Sequence, residues 1–194
     1  MAAGRSATRL QLDEAQRLAE PRDDPRLLAS VWEFKGRVLD QADKEAALLA
    51  YERSRELNTQ AGEPRGIALT LLFQGRTLDA LDRHDEALDM LRSALTRFQS
   101  EEVRDGRMAA RARIALGSVL MNLRRSDEAT ALLEEAVTAL EGRHYEANAR
   151  ELLAQLAAQA GDEDAATRHL RRAVEIYLAE GDPRADQLIA GENA

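Results

Sequence analysis

Apolar residues recur along this chain at the spacing of one helix face. After three alanines, large or apolar side chains follow at i+3, i+4, i+7, i+8 and i+11. The segments read Ala87, Met90, Leu91, Ala94, Leu95 and Phe98, then Ala129, Leu132, Leu133, Ala136, Val137 and Leu140, then Ala166, His169, Leu170, Ala173, Val174 and Tyr177. This spacing is typical of an amphipathic helix that packs against a neighbour. The pattern predicts three copies of one packed helix.

A small residue lies twelve positions before each of these alanines, at Gly75, Gly117 and Ala154. Leucines at helical spacing surround it and predict a preceding helix. A glycine inside a helix costs about 0.5 to 1 kcal/mol relative to alanine, so its recurrence indicates the close approach of another helix. Each unit is therefore predicted to be two packed helices.

Turn signals separate the predicted helices. The stretches AGEPRG, RDGR and EGDPR lie between units, and the pairs Asp24-Pro25 and Asp182-Pro183 predict helix starts. Within units, Ser126 or Asp127 is expected to cap a helix, and Gly161 to end one before Asp162 starts the next.

This arrangement resembles the tetratricopeptide repeat, in which a first helix carries large residues around Leu-Gly and a second carries alanines around a large residue. Gly36, Gly75, Gly117 and Ala154 follow one another at intervals of 39, 42 and 37 residues, longer than the usual period of about 34. The long period and the linkers resemble the arrays of large bacterial transcription regulators. Arg113 and Arg150 depart from the pattern, because they occupy positions where a large apolar residue is expected.

The resemblance implies an all-α fold, a right-handed α-solenoid of stacked antiparallel helix pairs. We expect a capping helix over 1–25, repeats over 26–62, 63–102, 103–142 and 143–181, and a C-terminal helix and tail over 182–194. The register of the first repeat stays open, because its best alanine, Ala47, follows Gly36 by eleven residues. Residues 6–19 resemble an unpaired second helix and 183–190 an unpaired first helix, which fits either capping elements or a piece of a longer chain.

Composition narrows the function. Of 194 residues 44% are hydrophobic but only 4% aromatic, so the core is expected to consist of Leu, Ala and Val. The net charge of −8, with both signs interspersed, argues against direct nucleic-acid binding. The sequence has no cysteine, no run long enough to span a membrane and no apolar leader in its opening residues, so we expect a cytoplasmic protein without membrane contact.

Catalytic chemistry is not predicted. His84, His144 and His169 are each isolated, and no nucleophile, phosphate-loop or dinucleotide motif occurs. His169 shares its position with Met90 and Leu132, which favours a packed histidine over a metal ligand. We expect no catalytic residue, no metal and no cofactor.

The family resemblance implies a concave groove lined by the first helices, suited to a peptide or helix of another protein. Carried over position by position, the groove residues are Glu33, Arg37, Asp40, Leu69, Leu72, Arg76, Asp79, Arg111, Ile114, Ser118, Met121, Asn122, Asn148, Glu151 and Gln155. The groove is apolar in its middle and polar at both ends, and the family's lysine and asparagine clamp for a terminal carboxylate is not matched. An ordinary solvated face is the alternative interpretation of these residues.

Two functions follow from this resemblance. The first is a non-catalytic protein–protein interaction scaffold. The second is the sensor or regulatory segment of a larger bacterial transcription regulator. Self-association through the open repeat ends, giving a homo-oligomer, is a further expectation.

Overall fold

The structure is a computed structural model that describes residue 14 and residues 17–140 and 144–191. Within these ranges it is all-α and contains no strand, as predicted. After a 3-10 turn at Glu20–Arg22, the helices are α1 (Pro25–Leu39), α2 (Lys44–Gln60), α3 (Pro64–Asp79), α4 (His84–Gln99), α5 (Gly106–Asn122), α6 (Ser126–Ala139), α7 (His144–Gln159), α8 (Glu163–Glu180) and α9 (Arg184–Gly191). None of these helices has both the length and the apolar composition needed to cross a bilayer.

The chain forms two compact units that divide between Arg104 and Asp105. In the first unit α1 packs on α2, α2 on α3 and α3 on α4. In the second unit the same succession runs from α5 to α9. The first helices of neighbouring pairs also touch within each unit, α1 with α3 and α5 with α7. The fold is therefore a helical repeat in which α1, α3, α5 and α7 are first helices and α2, α4, α6 and α8 are second helices.

The recurrent glycines are the closest contacts within the pairs. A Cβ atom added to Gly117 would lie 2.8 Å from Leu133 Cγ, and one added to Gly75 would lie 2.5 Å from Leu91 Cγ. Both distances are shorter than real Cβ contacts, so only glycine allows the second helix to approach this far. The predicted packing role of Gly117 is confirmed.

The first repeat uses the same contact with one residue fewer between the glycine and its partner. A Cβ atom on Gly36 would lie 2.6 Å from Tyr51 Cδ1, and Ala47 is completely buried. Tyr51 follows Gly36 by fifteen residues, whereas Leu91 and Leu133 follow their glycines by sixteen. Helix α1 ends three residues after Gly36, whereas α3 ends four residues after Gly75, and this shorter end accounts for the interval of eleven residues.

Aspartates cap most of the helix starts for which a side-chain cap was predicted. Asp24 accepts a hydrogen bond from Arg26 N at 2.9 Å and Asp162 from Ala165 N at 2.9 Å. Asp182 accepts from Arg184 N at 2.9 Å, so α9 begins one residue later than the predicted start at Pro183.

The predicted cap at Ser126 or Asp127 is wrong. Helix α6 begins at Ser126, after Arg125, and no side chain caps it. Arg124 adopts a left-handed backbone (φ 60°), and Arg125 N donates to Leu120 O, so a tight turn brings the chain directly into the helix. Acidic residues in the first turn still face the positive end of the helix dipole.

Glutamates form ion pairs with Arg113 and Arg150, the two arginines that occupy positions where an apolar residue was expected. Arg113 Nε lies 2.7 Å from Glu135 Oε2 on α6. Arg150 Nε lies 2.6 Å from Glu146 Oε1, whose side chain is 1% exposed and which Arg172 Nε approaches to 3.6 Å. A buried carboxylate needs such partners, because unpaired it would cost several kcal/mol. These positions are filled by ion pairs as well as by arginine stems.

Candidate partner-binding site

The predicted groove residues lie on the first helices or at their ends. Fourteen of the fifteen are half-buried or exposed. Leu72 is the exception at 1% exposure. It lies in the buried stripe of α3 with Ala68, Leu71 and Gly75, so its assignment to a partner-contacting surface is wrong.

The remaining residues divide between the two units. We call Glu33, Arg37, Asp40, Leu69, Arg76 and Asp79 the first-unit face. We call Arg111, Ile114, Ser118, Met121, Asn122, Asn148, Glu151 and Gln155 the second-unit face.

On the first-unit face, Arg37 is held against an aromatic pair. Its guanidinium lies 5.7 Å from the ring centroid of Phe73 on α3, and that ring stacks on Tyr51 with centroids 5.7 Å apart. Arg37 Nη1 also lies 3.9 Å from Glu33 Oε1. A guanidinium over an aromatic ring at this distance is a weak cation–π contact, which orients the group and leaves 54% of the side chain exposed.

The aspartates of the first-unit face have partners within the unit. Thr77 Oγ1 donates to Asp40 Oδ1 at 2.7 Å, and His84 Nδ1 lies 2.9 Å from Asp79 Oδ1. Arg76 is exposed and makes no hydrogen bond or ion pair with any residue that the structure describes. Its guanidinium is therefore accessible to a partner.

Burial shifts the pKa of Glu33, which belongs to this face, and of Tyr51, which stacks on Phe73. It raises the pKa of Glu33 above the ordinary value, although the positive charges of Arg37 and Arg65 oppose the shift. Burial also raises the pKa of Tyr51, and the negative charges of Asp40 and Glu33 add to it. The phenol of Tyr51 therefore stays protonated at neutral pH, which does not suit it to act as a nucleophile.

The second-unit face has an apolar part on α5. Ile114 and Met121 are half-buried there. Arg111 lies with its guanidinium 4.4 Å from the ring centroid of Tyr145 on α7, so it bridges the two first helices. Partly exposed isoleucine and methionine side chains suit contact with an apolar side chain of another protein.

Two other residues of the second-unit face are bound from within the chain. The hydroxyl of Tyr177 lies 2.6 Å from Asn148 Oδ1 and also contacts the Glu151 carboxylate. Arg184 Nη1 donates to Asn148 Oδ1 at 2.7 Å. Burial raises the pKa of Tyr177, and its hydrogen bond to Glu151 raises it further.

Sequence reasoning missed Tyr177 and Arg184 as residues of this face. Tyr177 occupied the i+11 position of the apolar pattern and was expected only to pack. Arg184 belongs to a repeated Pro-Arg dipeptide, also present at Pro25-Arg26 and Pro64-Arg65. That repetition was the available signal.

The three histidines lie apart from one another. His84 contacts Asp79, and His144 Nδ1 lies 2.7 Å from Glu180 Oε2. His169 is half-buried, and its Nδ1 has no hydrogen-bond partner among the described residues. Burial lowers its pKa, helped by the charges of Arg150 and Arg168. Among the described residues no three potential ligands are grouped to hold a metal ion.

Comparisons with known proteins agree with this geometry. The family model described as tetratricopeptide repeat matches residues 110–139. No curated protein matches the chain in sequence.

Solved structures resemble the whole fold. BtubC (BKLC) from P. vanneervenii has 20% identity and a TM-score of 0.73, with 91% of this chain and 72% of that one covered. MamA has 18% identity and a TM-score of 0.63, with 90% and 94% covered. MamA from residue 41 onward of Desulfovibrio magneticus RS-1 has 14% identity and a TM-score of 0.60, with 90% and 96% covered. At these identities the likeness concerns the fold alone.

Proposed function

We propose that the chain is a non-catalytic protein–protein interaction scaffold of the tetratricopeptide-repeat type, which binds a peptide or helix of a partner on its first-helix faces. The observation that carries this proposal is Arg76, which is exposed, has no hydrogen bond or ion pair among the described residues, and lies about two helical turns after half-buried Leu69 on α3. Arginine next to apolar surface is the composition that dominates binding energy at protein interfaces.

The second-unit face presents apolar side chains for contact with a partner. Full burial of a side chain such as Ile114 or Met121 yields about 1.5 to 3 kcal/mol, and both start half-buried, so each contributes only part of that. One or two such anchors suit a peptide-sized ligand on the second-unit face, and a charge-assisted hydrogen bond to Arg76 suits one on the first-unit face.

Site-specific cross-linking tests the location of binding. A photo-reactive amino acid at Leu69 or Met121 should capture the partner from a lysate of the source organism. The same group at Leu49, which is 69% exposed on the second helix α2, should not. Mass spectrometry of the cross-linked peptide then identifies the bound segment. Cross-linking at Leu49 alone would refute the first-helix location.

A matched pair of charge reversals tests the contribution of Arg76. Arg76→Glu should weaken binding of the identified peptide by about tenfold or more. The substitution removes a charged hydrogen-bond donor and places a carboxylate against the partner's acceptor, which it repels. Arg92→Glu makes the same change on α4, where the side chain is likewise exposed, and should leave binding unchanged. Equal affinities of the two variants would remove Arg76 from the site. Capture only of another segment of the same longer chain would favour the regulatory alternative.

A further inference from the structure

The guanidinium of Arg184 contacts four residues of its own chain. Nη1 donates to Asn148 Oδ1 at 2.7 Å, Nη2 lies 3.0 Å from Asp182 Oδ2, and Nε lies 3.2 Å from Asp182 Oδ1. The guanidinium carbon stands 4.2 Å from the ring centroid of Tyr177, and Nη2 also contacts His144 Nε2. Two-pronged pairing with a carboxylate and stacking on an aromatic ring together select the planar guanidinium over the ammonium of lysine.

Most of this site belongs to helices other than the one that carries Arg184. Asn148 and Glu151 lie on α7 and Tyr177 lies on α8, where its side chain is fully buried and its hydroxyl contacts both α7 residues. The ring that the guanidinium covers is therefore fixed by packing. Asn148, Glu151 and the Tyr177 ring are therefore positioned mainly by α7 and α8, whereas Asp182 lies in the turn that leads into α9.

The charge of the site requires a cation. Glu151, Glu180 and Asp182 lie around it, whereas His144 is the only other basic group that the described contacts place there. Arg184 lowers the pKa of the Asp182 carboxyl through its hydrogen bonds. If Arg184 were removed, three carboxylates would remain beside a buried aromatic ring, an environment that attracts a guanidinium from elsewhere.

The helix that brings Arg184 to the site is held by few apolar contacts. Helix α9 has eight residues, of which Ala185 is buried and Leu188 half-buried, while Ile189 is 40% exposed. Helices this short are marginal without packing, and segments with few buried contacts open locally at low free energy. We therefore expect displacement of α9 to cost less free energy than unfolding of α7 or α8.

We propose that this is an arginine-binding site, which Arg184 occupies within the chain and which an arginine of a partner segment occupies when α9 is displaced. The proposal rests on the proposed scaffold function only for the source of that arginine. The existence of the site and its selectivity for guanidinium are independent of partner binding at the first-unit face.

The test uses the full chain and two probes. The first is methylguanidinium, with methylammonium as the matched control cation. The second is a labelled peptide with one arginine between leucines, compared with the same peptide carrying citrulline, which keeps the shape and removes the charge. The proteins are wild type, Arg184→Ala, and Arg184→Ala combined with Glu151→Gln.

The Arg184→Ala protein should bind the arginine peptide about tenfold more tightly than the citrulline peptide and than wild type does, because a charged, two-pronged contact is gained. Adding Glu151→Gln should reduce this preference. Methylguanidinium, but not methylammonium, should raise the melting temperature of Arg184→Ala and leave wild type unchanged.

Three results would overturn the proposal. Equal binding of the arginine and citrulline peptides to Arg184→Ala, without stabilisation by methylguanidinium, would show that no guanidinium site exists. Equal binding of the arginine peptide to wild type and to Arg184→Ala would show that Arg184 does not compete for it. Stabilisation by methylguanidinium without peptide selectivity would restrict the site to the chain's own arginine and refute its use by a partner.

The proposal stays testable if Arg184→Ala is poorly folded. In wild type, a large excess of the arginine peptide should then speed amide hydrogen exchange in α9 and leave exchange in α7 unchanged, whereas the citrulline peptide should do neither. An unchanged α9 would refute displacement. Failure of lysate capture at Leu69 and Met121, with peptide selectivity intact, would refute the scaffold function and leave the arginine site standing.

Discussion

The two units present the same repeat positions in different states. In the first unit Arg37 and Arg76 are exposed, and the aspartates of that face are held by Thr77 and His84. In the second unit the α7 residues of the equivalent face already have partners within the chain. Tyr177 contacts Asn148 and Glu151, and Arg184 donates to Asn148. A position in a repeat therefore does not by itself make a side chain available to a partner; the helices that follow it decide.

One position of the second helix explains part of this difference between the two faces. Asn58 and Tyr177 both lie eleven residues after the first alanine of their helix, Ala47 and Ala166. Asn58 is buried and bonds within its own helix to Ser54 at 3.4 Å, while Ser54 donates to Ala29 O at 2.8 Å. The longer phenol of Tyr177 instead extends to the face of α7. The larger side chain at this position therefore makes its polar contacts with residues of the second-unit face, whereas Asn58 makes its contact within its own helix.

The largest expected effect comes from substituting the packing glycines. These substitutions test whether the helix pairs of the two units are packed equally closely. Gly117→Leu should lower the free energy of unfolding by about 1 to 3 kcal/mol, because even its Cβ would overlap Leu133. Gly75→Leu in the first unit should cost a similar amount. Urea unfolding followed by circular dichroism measures both.

Gly106→Ala is the control for these variants. No atom lies within 4 Å of a Cβ added there, and the backbone is not in the left-handed region, so the change should stay within about 0.5 kcal/mol. If Gly117→Leu were as mild as the control, the close approach of α5 and α6 would be wrong.

The helix pairs could be predicted from sequence because their packing is local and periodic. A glycine and a leucine sixteen residues apart meet in every copy that has them, and the apolar stripe fixes which face is buried. Leu72 shows the limit of this reasoning. The family resemblance assigned its position to the partner-binding surface, but the buried stripe of α3 is wide enough to include it.

The state of the candidate site could not be predicted in the same way. Arg184 reaches Asn148 across 36 residues, and Tyr177 reaches it across 29. Such contacts depend on side-chain length and on the path of the next helix, which periodicity does not encode. The pairing of Glu146 with Arg172 on α8 was missed for the same reason, whereas its pairing with Arg150 lies within one helix at i,i+4 spacing.

A smaller effect should separate the two buried tyrosines. Tyr177→Phe should lower the free energy of unfolding by about 1 to 2 kcal/mol, because it removes a hydroxyl that lies against an amide and a carboxylate and leaves Glu151 with one donor fewer. Tyr51→Phe should cost less than about 0.5 kcal/mol, since its hydroxyl has no hydrogen-bond partner among the residues the structure describes. Chemical denaturation of both variants provides the comparison, and equal losses would contradict the hydrogen bonding of Tyr177 to the second-unit face.

The smallest effect is a pH dependence that should have opposite signs in the two units. Burial raises the pKa of Glu33, so the folded protein binds its proton more tightly than the unfolded chain does. The free energy of unfolding therefore decreases as the pH rises through the ordinary value of 4.5 towards the raised one. Glu33→Gln should be more stable than wild type at neutral pH, and the advantage should vanish in acid once both states of wild type are protonated.

Asp182 should behave in the reverse sense. Hydrogen bonds from Arg184 lower its pKa below the ordinary 3.8, so its carboxylate stabilises the fold above that value and loses this effect as the pH falls through the lowered one. Asp182→Asn should therefore be less stable than wild type at neutral pH, and the two should converge in acid. Urea unfolding at a series of pH values gives both difference curves. If they have the same sign, the contrast between an under-compensated carboxylate in the first unit and a well-paired one in the second is wrong.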